Sequence, residues 1–343
     1  MYSESDIDGA VAAGVLTPQM AAAFRNYTAN GRSAPAVDEE HFKLLTGFND
    51  IFVAIALSLS LTAIAQIGAM VTPALGGAGV AVSAWLLAEY FTRRRRMALP
   101  SILLLLAFVG GVAATMIGTL VSLNPELPDR TDAFIGAGIA LVTAGAAWAH
   151  WRRFMVPITV AAGAMALVGV AIALTLAAVP AAKDAIYPIL LAAGVVVFAV
   201  AMGWDMSDKE RRTRRSDVAF WLHLAAAPLI AHPVFQMLGV FDQNVDAAKA
   251  AIVIGLYLVF AFVALAVDRR ALLVSSLVYV LYAMYTLFQG AGAVELSASL
   301  TAFVIGSALL TLSVFWHQMR GAVVALLGGL KDRLPPVQTI VPA

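Results

Sequence analysis

Residues Arg93 to Arg96 form a run of four arginines between two apolar stretches, each too long and too clean for a soluble core. Guanidinium groups do not enter hydrocarbon, and loops rich in Lys and Arg stay on the cytoplasmic side of a membrane. The run therefore assigns one loop to one side, and every other loop follows by counting passes. Ten apolar runs are long enough to cross about 30 Å of hydrocarbon at about 1.5 Å per residue. They cover residues 48–70, 75–91, 101–123, 132–150, 155–178, 185–204, 218–240, 249–267, 271–289 and 296–316. The expected fold is all-α. It is a polytopic transmembrane helix bundle of about ten spans with a small soluble N-terminal helical hairpin.

The distribution of charge supports that count. With ten passes, one side holds Arg25, Arg32, Lys43, Arg93 to Arg96, Arg152, Arg153, Lys209, Arg211, Arg212, Arg214, Arg215, Arg269, Arg270, Arg320, Lys331 and Arg333. The other holds only Arg130, Lys183 and Lys249, so 19 basic residues face 3. Both termini are then expected in the cytoplasm. A missed or invented span would scramble the alternation. Only 13% of the residues are charged, against about 25% in ordinary soluble domains. No cysteine is present, which excludes disulfides, thiolate metal sites, a Cys nucleophile and covalently attached haem.

Three segments follow from local patterning. Residues 1–36 read as a cytoplasmic helical hairpin and linker. Gly14 stops a first helix, Thr17 caps a second, and Pro18 occupies its first position. Val11, Val15, Leu16, Met20 and Phe24 supply an apolar seam, and Asn30-Gly31 ends the second helix. Residues 37–316 form the ten-span membrane domain, entered through a helix capped by Asp38. No charged stretch followed by an apolar run precedes Phe48, so the first span is expected to act as the insertion signal. Residues 317–343 read as an amphipathic interfacial helix and tail, with Val323, Val324, Leu326, Leu327 and Leu330 set against Arg320, Lys331 and Arg333. A period is also visible. Arginines at 96, 153, 215 and 270 precede successive apolar helix starts at roughly equal steps, as stacked hairpins would. Any hairpin array with basic loops on one side would look the same.

Within a bilayer, polar side chains are the first place to look for function. Asp50, Glu89 and His150 stand near the cytoplasmic ends of their spans, where they either admit an ion or reach headgroup water and nearby arginines. The seventh span carries His223, Pro228, His232, Pro233 and Gln236. Each proline removes an amide donor and displaces a carbonyl, and His232 and Gln236 share a face at i, i+4. Broken helices with mid-membrane polar groups form binding sites in transporters. A kinked packing helix, whose His and Gln satisfy the freed carbonyls, explains the same residues. On the ninth span Ser275, Tyr279, Tyr282, Thr286 and Gln289 lie within about 80° of one another. They line a cavity or make interhelical hydrogen bonds. The candidate solute-binding residues are therefore His232, Gln236, His223, Tyr279, Tyr282, Thr286 and Gln289.

Enzyme signatures such as HExxH, a P-loop or GxSxG do not occur. No mid-span Lys is available for a retinal Schiff base. The arginine runs lack interleaved aromatics, so nucleic acid is not an expected partner. No catalytic residue, metal or cofactor is expected. The lipid bilayer is the first partner, with other membrane subunits or a second copy of the chain beside it.

The run from Val11 through Phe24, then Asp38 to Asp50 leading into the first span, resembles bacterial predicted membrane proteins known only as a domain of unknown function. In that layout a short helix, a Gly, a Thr or Ser and a second helix precede a string of spans. The resemblance extends to the stretch from Arg93 to Ser101 and implies a bacterial inner-membrane address. Two functions stay open. One is a non-enzymatic accessory or scaffold component. The other is a secondary transporter of a small solute with a site between spans seven and nine. Ten spans with both ends inside suit two inverted five-span halves, yet the visible period is two spans.

Reporter fusions after Arg96, Arg153, Arg215 and Arg270 are expected to report cytoplasm. Fusions near Asp129, Lys183 and Asp246 are expected to report the opposite side. One robust reversal in that series would overturn the alternation.

Overall fold

A backbone crossing hydrocarbon must satisfy its own hydrogen bonds, and a single helix does so locally. Each of the ten apolar runs is accordingly helical in the computed structural model, which describes residues 4–32, 48–123, 126–209, 211, 213–240, 247–290, 297–329 and 334–335. The helices are α1 (Glu4–Ala12), α2 (Pro18–Arg32), α3 (Phe48–Ala69), α4 (Pro73–Ala88), α5 (Ala98–Leu123), α6 (Asp129–Phe154) and α7 (Ile158–Ala178). They continue with α8 (Ile186–Met206), α9 (Arg214–Met237), α10 (Ala247–Val267), α11 (Ala271–Gly290), α12 (Ser297–Val314) and α13 (Trp316–Leu326). A π-helical turn, Glu89–Arg94, extends α4, and a 3-10 turn, Pro180–Ala185, leads into α8. The chain is a polytopic bundle of membrane-crossing helices.

Eight helices meet the length and apolarity of a span on their own, or nine if Ser299–Val314 and Trp316–Leu326, bent by 75°, make one. The sequence implies about ten. The difference rests on α11, whose apolar stretch Ala271–Thr286 is short, and on the bend after α12. A contact decides how this region runs. Trp316 Nε1 donates to Asp268 Oδ1 at 2.9 Å. Asp268 sits in the turn before α11, and Trp316 opens α13. The chain therefore leaves that end along α11 and returns along α12, so α13 starts beside the α10–α11 turn.

The described chain divides into two compact units, residues 42–201 with 217–239, and residues 1–41 with 202–216 and 240–343. In the first unit, Thr72 caps α4 by accepting from the Leu75 N–H at 3.2 Å, with Pro73 in the first helical position. Helices α4 and α5 then pack backbone to backbone. A Cβ added at Gly111 would stand 2.7 Å from Ala81 N, and one at Gly118 would stand 2.6 Å from Ala74 N. Gly77 is pressed just as closely against the Thr115 backbone. Small residues permit such an approach, which drives helix association where lipid tails are as apolar as leucine. Neighbouring glycines are not equivalent in this packing. Gly110, Gly136 and Gly138 have nothing within 4 Å of such a Cβ. Along α8, Gly194 similarly admits Leu229 of α9.

The N-terminal hairpin belongs to the second unit. Its cap is as expected, with the Met20 N–H donating to Thr17 Oγ1 at 3.1 Å and Gly14 at φ 74°. Helix α2 runs on through Asn30-Gly31 to Arg32. The expected seam is not the buried one. Val15, Met20 and Phe24 are exposed, while Ile7 and Ala21 are buried. A nine-residue helix offers only about two and a half turns, so contact reduces to a point where a small alanine fits. The Asp38 cap lies outside the described residues. In the same unit, α10 packs on α11 and α13, with Ala264, Leu265, Leu273 and Trp316 forming a core.

The amphipathic reading of the C-terminal segment is corrected at one residue. Trp316, Arg320 and Val324, at four-residue steps, are the buried face of α13. Arg320, set on the polar face by hydropathy alone, is 1% exposed, whereas Leu326 is 80% exposed.

Replacing Gly111 by Val should force α4 from α5, costing roughly 1–3 kcal/mol as overpacking does. Thermal unfolding in detergent should show the loss for Gly111→Val and little change for Gly110→Val.

Candidate functional site

The polar residues marked by the sequence fall on two helices, α9 and α11, that belong mainly to different units. On α9, His223 is buried against Phe198, ring centroids 5.0 Å apart, and half-buried His232 meets Tyr187 at 6.0 Å. Both histidines thus face α8. Gln236 is half-buried. Helix α9 continues unbroken from Arg214 to Met237 through Pro228 and Pro233. On α11, Tyr279 is buried and Tyr282 half-buried. Thr286 donates to the carbonyls of Tyr282 and Ala283, at 3.0 and 2.9 Å. The Gln289 side chain lies outside the described residues.

Among the polar groups near helix ends, Glu89 is paired with arginine. Its carboxylate accepts Arg153 Nε and Nη2 at 2.6 and 2.9 Å, and Arg93 Nη1 at 3.3 Å. His150 reaches neither water nor arginine. It is fully buried, ringed by Trp85, Phe108 and Phe154, with Nδ1 3.3 Å from Thr159 Oγ1. Among the described residues no group of three or more metal-ligating side chains occurs.

The most concentrated chemistry lies elsewhere, in the second unit. Asp205, at the last turn of α8, takes a forked pair of bonds from Arg269, Nε to Oδ2 at 3.1 Å and Nη2 to Oδ1 at 2.5 Å. The same guanidinium reaches Ser216 Oγ at 3.2 Å. Asp268 accepts Arg211 Nη1 at 2.9 Å and Trp316 Nε1, and its Oδ1 lies 3.3 Å from Arg320 Nε. Arg320 Nη2 donates to the Pro335 carbonyl at 2.7 Å. Asp208 accepts both the backbone N–H and the hydroxyl of Thr213, at 2.8 and 2.6 Å. Arg270 lies over the Trp316 ring, 4.7 Å from its centroid. Side chains of the central ion pairs are 0–4% exposed.

Local backbone makes this convergence possible. Arg211 and Asp268 both adopt left-handed conformations, φ 51° and 63°. Asp tolerates this region better than most residues, whereas Arg does so at a cost of about 1–2 kcal/mol. At Asp268 the turn lets the Arg269 N–H close on the Ala264 carbonyl at 3.0 Å. Successive residues, Asp268 and Arg269, then serve different partners. Three arginines and three aspartates thus tie together the end of α8, the following loop, the start of α9, the α10–α11 turn, α13 and Pro335. A planar guanidinium that meets a carboxylate by two bonds fixes direction as well as distance. Chemically the cluster is a closed electrostatic latch.

These residues escape sequence reasoning because their arginines are already explained by topology. The available signal is an acid placed just before the basic run. Asp205 and Asp208 precede Arg211, and Asp268 precedes Arg269. A carboxylate in that place has no use as a topology marker.

Asp205→Asn should leave Arg269 buried without its counter-charge and lower stability by about 3–5 kcal/mol. Asp268→Asn keeps the left-handed backbone yet removes the charge, so it should cost a similar amount. Joint replacement by Asp205→Leu and Arg269→Met should recover much of the loss. Glu89→Gln, in an exposed pair, should change little. Thermal unfolding in detergent compares all four. Comparison with protein families, with curated proteins and with solved structures finds no match for this chain, so the resemblance in layout carries no activity to it.

Proposed function

We propose that this chain is a non-enzymatic accessory or scaffold component of a bacterial inner membrane, with both termini on the cytoplasmic side. It acts by packing against other membrane subunits. The observation that carries this reading is where the polar groups of the spans are used. Hydroxyls turn back onto their own helices. Ser58 donates to Ala54, Thr115 to Gly111, Thr143 to Ile139, Thr175 to Ala171, Ser276 to Leu272 and Thr311 to Ser307, each to the carbonyl four residues earlier. Such bonds satisfy the side chain locally. The strongly bonded charges lie at helix ends, paired with one another. These six hydroxyls thus spend their hydrogen bonds within their own helices.

Outward faces are correspondingly apolar. On α7, Leu167 and Leu174 are exposed. On α12, Phe303 and Leu310 are exposed. Lipid covers such surfaces, and so does a neighbouring helix, because association in a bilayer depends on packing. The buried ionic cluster supports the reading by holding one set of helix ends rigid, so that outward faces keep a defined shape.

A photo-crosslinking residue placed at Leu167, Leu174, Phe303 or Leu310 tests this in intact membranes. At least one position should give a discrete protein–protein product. Products with lipid alone at all four positions would overturn the proposal.

A further inference from the structure

Among the described residues of the first unit, an arginine cluster outnumbers the one carboxylate, Glu89, that pairs with it. Arg93, Arg94, Arg95 and Arg96 are all exposed, in and after the π-helical turn that ends α4. Arg153 reaches the same place, because it is bonded to Glu89, and Arg152 precedes it on α6. The Glu89 carboxylate is already occupied by the Arg153 fork and by Arg93. Arg95 is held by a neutral group. Its Nε donates to the Tyr90 hydroxyl at 3.1 Å, and its guanidinium lies 5.5 Å from the Tyr90 ring centroid. Arg152 lies 5.5 Å from the Trp148 centroid. Arg94 and Arg96 have no carboxylate partner among the described residues.

The second unit shows how this chain closes a similar cluster internally. In each unit an acid at the end of one helix pairs with an arginine 64 residues later, Glu89 with Arg153 and Asp205 with Arg269. Beyond that pair the two diverge. The residue before Arg269 is Asp268, which takes Arg211 and approaches Arg320. The residue before Arg153 is Arg152. One cluster thus gains a carboxylate where the other gains a further cation. The first is buried, and the second is open to an external anion.

We propose that the turn carrying Arg94, Arg95 and Arg96 binds the phosphate of anionic lipid headgroups. Two features favour a lipid over a free anion. The turn joins two membrane-crossing helices, so it sits at the level of the headgroups. Tyr90 and Trp148, 42% and 62% exposed, each lie beneath an arginine and offer an apolar rim to the acyl chain. Arginine matches phosphate geometry by two parallel bonds. This inference does not depend on the scaffold role.

The test uses the full chain in neutral detergent, titrated with phosphatidylglycerol or phosphatidylcholine and read by native mass spectrometry. A basic residue at an anionic surface contributes about fivefold in binding. The triple variant Arg94→Gln, Arg95→Gln, Arg96→Gln should lose at least tenfold in phosphatidylglycerol binding. The double variant Arg214→Gln, Arg215→Gln, exposed arginines elsewhere, should bind as the parent does. Equal binding of phosphatidylglycerol by parent and triple variant would overturn the proposal, as would equal binding of the two lipids by the parent. Displacement of phosphatidylglycerol by millimolar inorganic phosphate would overturn it in favour of a free-anion site. If the triple variant fails to reach the membrane, Arg94→Gln and Arg96→Gln separately should each show a partial loss. No loss in either would overturn the proposal.

Discussion

The buried pair of Asp205 and Arg269 is the constraint on which the second unit depends. Taking two charges out of water is costly, and their attraction offsets that cost only with close geometry and satisfied neighbours. Here the geometry is a fork, and Ser216, Arg211, Asp268, Trp316 and Arg320 complete the surroundings. None of these groups is well placed alone. Asp268 needs Trp316 and both arginines, and Arg211 reaches it through a left-handed backbone that is unfavourable without the ion pair. The cluster links segments distant in the chain through one set of shared charges.

The first unit is held differently. Its α4–α5 contact depends on the absence of side chains at Gly77, Gly111 and Gly118. Its ion pair, Glu89 with Arg153, is solvent-exposed and contributes correspondingly little. Aromatic contact replaces charge at His150, enclosed by three rings. One chain thus uses two means of joining helices, close backbone approach in one unit and buried electrostatics at helix ends in the other. A non-glycine residue in the left-handed region marks four connections between helices, at Arg96, Met155, Arg211 and Asp268, roughly one hairpin apart. The repeat of the arginine pairs in the sequence therefore has a counterpart in the backbone.

Each class of residue was legible to a different degree. The polar positions on α9 and α11 stand out in the sequence because prolines, histidines and tyrosines are conspicuous in hydrocarbon. Their local setting is less distinctive, with Thr286 bonded to its own helix and His223 and His232 beside rings of α8. The ionic cluster has the opposite character. Its arginines look like ordinary cytoplasmic markers, and its aspartates sit in short connections where acids are commonplace. Arg320 is the sharpest case, since helical periodicity sets it on the polar face while its partners are Asp268 and Pro335.

By itself the sequence determined that this chain is helical, where its apolar helices lie, and that basic residues collect at alternate connections. Those properties are local. A span must satisfy its own backbone within about 20 residues, and an unpaired charge facing hydrocarbon is costly at any position in the chain. Only the tertiary structure decided which arginines face outward and which are buried against aspartate. That choice depends on partners 48 to 64 residues away in the chain, among them Trp316 for Asp268 and Asp205 for Arg269. Hydropathy carries no record of such distances. Counter-charge at a helix end acquires meaning only when packing brings a second helix end beside it.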